Sequence, residues 1–63
     1  MSKSKWIAFG KLLKSNRQAA GLSRYRLARL ADLSEATIKK LERGQMASER
    51  TLLDLYSVHE LGW

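Results

Sequence analysis

The side chains best suited to chemistry lie in one short run between Ser34 and Gly44. On a helix turning about 100° per residue, they divide by kind. Thr37, Ile38, Leu41 and Glu42 gather on one side, and Ala36, Lys39, Lys40 and Arg43 on the other, with Glu35 at the rim. Lysine and arginine only donate hydrogen bonds and carry positive charge, so the second side suits an anionic surface, with Ala36 leaving room for close approach. The plainer reading is a solvated face, the default for charge on a helix exterior. Catalysis finds no comparable support. The chain has no cysteine, one histidine (His59), no glycine-rich phosphate loop and no acids at metal-ligand spacing. Neither an enzyme nor a metal or other cofactor is expected.

The elements that must position this run are short and capped. Ser34 is a good N-cap and Gly44 a good stop, which predicts a helix over 34–43. Upstream, 23–31 reads as a second short helix, with Leu27, Ala28 and Ala31 as its packing face and Ala28 small enough for close approach. Arg26 and Arg29 point away from that face, toward solvent. Only Asp32, Leu33 and Ser34 intervene, and two short helices joined by so tight a turn form a helix-turn-helix. A first helix is predicted over 6–20, with Trp6, Phe9, Leu13 and Ala20 on one face and Leu12 beside it. Gly21 ends it and Leu22 returns to the core. A fourth is predicted over 48–60 behind Ser48, with Leu52, Leu55, Tyr56 and His59 on one face, flanked by Leu53 and Val58. Its apolar arc is wider than a small core requires. Residues 1–5 read as a flexible basic arm, and 6–63 as one domain.

These residues resemble the Cro/CI-type (lambda repressor-like, XRE family) helix-turn-helix domains of phage repressors and many bacterial regulators. The motif is Gly21-Leu22-Ser23, Leu27-Ala28, Leu33-Ser34, Thr37-Ile38 and Leu41-Glu42-Arg43-Gly44, within a resemblance running from Leu13 to about Leu55. The chain departs from the family in three places. Asp32 stands where the family usually has glycine, the loop after Gly44 is one residue short and lacks its proline, and the fifth helix is absent. The resemblance implies an all-α fold of four helices, equivalent to a five-helix domain cut short. It also implies an ion pair between Arg17 and Glu42. Arg17 falls on the apolar face of the first helix, where a cation needs a carboxylate partner or must snorkel to solvent.

Sixty-three residues make one small domain, and the net charge of +6 is the electrostatic footprint of a nucleic-acid binder. No stretch is long enough to span a bilayer. The alternative of membrane-surface binding through Lys11 and Lys14 is weakened because Trp6 and Phe9 are needed by the core. Carried over by position, the resemblance places Glu35, Ala36, Lys39 and Lys40 against DNA bases. Arg24, Ser34, Thr37, Arg43 and Gln45 fall against phosphates. Glu35 has a rival role, complementing the helix dipole. The implied function is sequence-specific double-stranded DNA binding by a cytoplasmic transcriptional regulator, a repressor rather than an activator. It would act as a homodimer on a palindromic operator, with Leu53, Tyr56, His59 and Trp63 at the dimer or partner interface. The alternative is a protein-interaction module of the antitoxin type that binds a partner through 48–60. The abrupt end at Trp63 has two readings: the ring covers the core edge, or it packs on a missing C-terminal domain.

Overall fold

Three serines decide where the short helices begin. In the computed structural model, which describes residues 3–63, the chain forms α1 (Lys3–Ala19), α2 (Arg24–Ala31), α3 (Glu35–Glu42) and α4 (Glu49–Tyr56), then a 3-10 turn, His59–Leu61. Ser23, Ser34 and Ser48 precede the last three helices in extended backbone. Each hydroxyl accepts the amide three residues ahead, from Arg26 at 3.0 Å, Thr37 at 3.1 Å and Thr51 at 3.2 Å. Such caps are worth about 0.5–2 kcal/mol each. That matters because eight-residue helices are too short to persist alone. The described residues contain no strand, so the fold is all-α.

The first helix starts earlier than the sequence implies. Lys3–Lys5, expected in a flexible arm, are the first turn of α1, while Met1 and Ser2 of that arm lie outside the described residues. The physical reason is the position of Trp6, which is buried. A helix beginning at Trp6 would leave unpaired first-turn amides around a buried ring; beginning at Lys3 moves them to exposed residues. The buried stripe of α1 is Trp6, Gly10, Leu13 and Arg17. Leu12, by contrast, is largely exposed, and Ala20 lies exposed beyond the helix end.

Gly10 is where α1 crosses the C-terminal end of α3. A methyl group there would collide with the carbonyl oxygen of Leu41 and lie 3.1 Å from that of Glu42. Between α2 and α3 the chain turns at Asp32, with φ 58° and ψ 43°, its amide bonded to the carbonyls of Ala28 and Arg29. Left-handed backbone costs most L-residues about 1–2 kcal/mol, and aspartate is among the few that tolerate it. The turn therefore keeps a glycine-like conformation without glycine.

The core consists of Leu13, Leu27, Ala28, Ala31, Ile38, Leu41, Leu55, Val58 and Leu61, with Phe9, Leu22, Leu33 and Ala47 packed against it. The expected fourth helix over 48–60 is shorter: α4 stops at Tyr56, and His59 sits exposed in the 3-10 turn rather than on the helix face. At about 100° per residue, a continuous helix would carry Leu61 about 120° round from Leu55. Breaking at Ser57 lets Leu55, Val58 and Leu61 all enter the core. Trp63 then folds back. Its indole N–H donates to the Leu55 carbonyl at 3.3 Å, its ring stacks on Phe9 at 6.0 Å, and Tyr56 meets it edge-on at 5.4 Å.

Replacing Gly10 with alanine should destabilise the domain by about 1–3 kcal/mol through overpacking against the α3 backbone. Ser15→Ala, at an exposed position on the same helix, should stay within about 0.5 kcal/mol of wild type. Urea unfolding followed by circular dichroism separates the two.

Candidate nucleic-acid interface

α3 presents two chemically different sides. Ile38 and Leu41 are buried, Thr37 is half-buried, Glu42 buries its side chain, and Glu35, Ala36, Lys39, Lys40 and Arg43 are exposed. The exposed set recurs at the spacing of one helical face, so the structure brings the four candidate base-contacting residues together. Among the described residues, ion pairs form only at Arg17–Glu42, Arg24–Glu42 and Arg50–Asp54. Lys39, Lys40, Arg43 and Glu35 thus have no ion-pair partner among the described residues.

The candidate phosphate-contacting residues differ in how committed they are. The Ser34 and Thr37 hydroxyls lie 2.8 Å apart, and Ser34 Oγ also accepts the Thr37 amide. One hydroxyl hydrogen is used between them, leaving one to donate outward. Arg43 and Gln45 are exposed beside Gly44, on one wall of an open cleft of about 580 Å³ whose other wall is Lys3, Trp6 and Ile7 of α1. Arg24 is not the free cation that a phosphate contact suggests, because its Nε donates to Glu42 Oε1 at 3.0 Å.

Glu42 is the electrostatic centre of the site. Arg17 Nε donates to Glu42 Oε2 at 2.7 Å and Arg17 Nη2 to Oε1 at 3.3 Å, while Arg17 Nη1 donates to the Leu22 carbonyl at 2.8 Å. The side chains of Arg17 and Glu42 are 9% and 4% exposed, that of Arg24 38%. Each terminal charge is disfavoured locally. Glu42 sits at the negative end of α3 and Arg24 at the positive end of α2, and their pairing offsets both. The triad joins α1, α2 and α3. The part played by Arg24 has no sequence signal, since it lies 18 residues from Glu42 at no helical spacing.

The candidate interface residues of the C-terminal part lie elsewhere. Leu53, Tyr56, His59 and Trp63 are all exposed, with Tyr56 and Trp63 in mutual contact. Among the described residues, no group of three or more histidines and acids could hold a metal ion, and no helix is long and apolar enough to cross a membrane.

A family model described as a helix-turn-helix domain matches residues 8–62. No curated protein and no solved structure matches significantly.

Arg17→Ala should cost about 3–5 kcal/mol by leaving Glu42 short of its inner partner. A domain this small has about 3–5 kcal/mol in all, so the variant should be largely unfolded at room temperature. Far-ultraviolet circular dichroism checks it; a wild-type spectrum and melt would remove the triad from its structural role.

Proposed function

Because the chain belongs to the helix-turn-helix domain family, we propose that it binds double-stranded DNA with α3 in the major groove. The observation that carries this reading is the exposed, internally unpaired stripe of Glu35, Ala36, Lys39, Lys40 and Arg43 on the second helix of the motif. The net charge of +6 supports it, because association with a polyanion is steered by such an excess. Lys39 and Lys40 donate to guanine acceptors, Glu35 accepts from a cytosine amino group, and Ala36 meets a thymine methyl. Arg24, Ser34, Thr37, Arg43 and Gln45 hold the phosphates, which set register without reading sequence.

A single eight-residue helix reads few base pairs, so selectivity calls for a second copy. The chain acts as a homodimer on a palindromic site, with half-sites about one turn apart. Leu53, Tyr56, His59 and Trp63 form the dimer contact. The role is transcriptional regulation in the cytoplasm, as a repressor by its resemblance to phage repressors. The same exposed C-terminal face is what an antitoxin-type interaction module would use. A chain serving only that role would show no salt-dependent shift of duplex DNA.

Selection of bound sites from random duplex DNA tests affinity, specificity and symmetry together. Lys40→Ala should relax one position of the selected motif at a cost of about 1–3 kcal/mol; uniform weakening across sequences would instead assign Lys40 to the phosphates. Titrating the palindrome against its isolated half should give two chains per full site and weaker binding to the half. Equal affinity, with one chain per full site, would remove the dimer.

A further inference from the structure

We propose that Glu42 is a positioning residue for DNA. Held from inside by Arg17, it clamps Arg24 through Nε, so that the terminal amino groups of Arg24 form a fixed fork for one backbone phosphate. This rests on the DNA-binding reading above and adds to it the device that aims one contact.

The geometry starts from the guanidinium itself, a planar group with five N–H donors in a rigid fork. Arg24 uses the Nε edge on Glu42 Oε1 at 3.0 Å, and among the described residues no acceptor is bonded to Nη1 or Nη2. Planarity then turns the Nη edge away from the carboxylate that holds the Nε edge. Arg17 is 9% exposed and Glu42 4%, whereas Arg24 is 38% exposed, so the only face of the triad open to a ligand is that of Arg24.

Charge points the same way. Two guanidiniums against one carboxylate leave an excess of one positive charge, and the exposed member carries it outward. Arg24 is also the first residue of α2, where unpaired backbone amides favour an anion. A phosphate diester offers the paired oxygens that an arginine fork meets with two parallel bonds. A free arginine side chain would have to be ordered on binding, but the Glu42 clamp has done this already. Lysine could supply the charge but not both bonds, because its ammonium is a single point.

The test measures binding of the selected duplex by fluorescence anisotropy over a range of salt. The proteins are wild type, Arg24→Lys, Arg24→Ala, Glu42→Gln and the double variant Arg24→Ala/Glu42→Gln, each checked for folding by circular dichroism. Arg24→Lys should bind about tenfold more weakly than wild type, the loss of one charge-assisted bond. Arg24→Ala should lower the slope of log affinity against log salt by about one. Glu42→Gln should weaken binding about tenfold with Arg24 present but less than about twofold with alanine there, whereas a merely structural Glu42 would cost the same in both backgrounds. Should Glu42→Gln prove unfolded, Glu42→Asp takes its place in both backgrounds, since it keeps the charge for Arg17 but draws the carboxylate back from Arg24 by one methylene, while Arg24→Lys, which keeps the Arg17–Glu42 pair, tests the fork. Wild-type affinity for Arg24→Lys, or an unchanged salt slope for Arg24→Ala, overturns the inference while leaving DNA binding intact. Failure of the wild-type chain to bind any selected duplex overturns both.

Discussion

One buried carboxylate holds the arrangement together. Glu42 receives Arg17 from α1 and Arg24 from α2 while belonging to α3. Its two oxygens therefore fix the mutual placement of three helices. Hydrophobic packing alone is undirected. The nine buried apolar residues of the core supply burial, and the 2.7 Å ion pair adds direction to it. Arg17 extends the constraint to the α1–α2 link through the Leu22 carbonyl. Removing water from such a group is expensive unless its oxygens find donors, and here Oε2 accepts one bond and Oε1 two.

Much of the architecture was legible because its signals are local. A serine three residues before an amide it can bond is visible in the chain, and Ser23, Ser34 and Ser48 all bond that way. The two-sided character of α3 follows from residue order alone. What escaped was set by contacts between distant residues. Gly10 reads locally as a poor helix residue, and nothing nearby says that a carbonyl of α3 will occupy the space its side chain would fill. The start of α1 had no acidic first-turn residue to mark it, so burial of Trp6 decided it. The end of α4 was readable in principle, because Val58 and Leu61 drift off the Leu55 face, but a wide apolar arc conceals such a drift.

The same division holds at the candidate site. Glu35, Ala36, Lys39 and Lys40 share a face because of helical period, which sequence shows directly. Arg17 and Glu42 lie 25 residues apart, and the family resemblance rather than any spacing put them side by side. Arg24 had neither advantage. Its place at a helix start reads as a phosphate contact; in the folded chain its Nε is already bonded to Glu42. A long side chain with several donors can serve a structural and a binding partner at once, and position along the chain records only one of them.

An eight-residue helix has too few internal hydrogen bonds to keep its own shape, so α3 must be held from outside. Ser34 closes its first turn, Ile38 and Leu41 bury its middle, and Glu42 ties its last residue to two other helices. Every structural duty of α3 thus falls on its inner side or its ends. Ala36, Lys39 and Lys40 bury nothing and, among the described residues, make no ion pair, and Glu35 beside them complements the dipole at the helix start. Substitutions there change what the helix presents without changing how it is held, because no buried contact moves with them. The domain separates the residues that fix the angle of the helix from those that meet its target, and a rigid frame of this kind can accept new contacts on its outer face at little cost in stability.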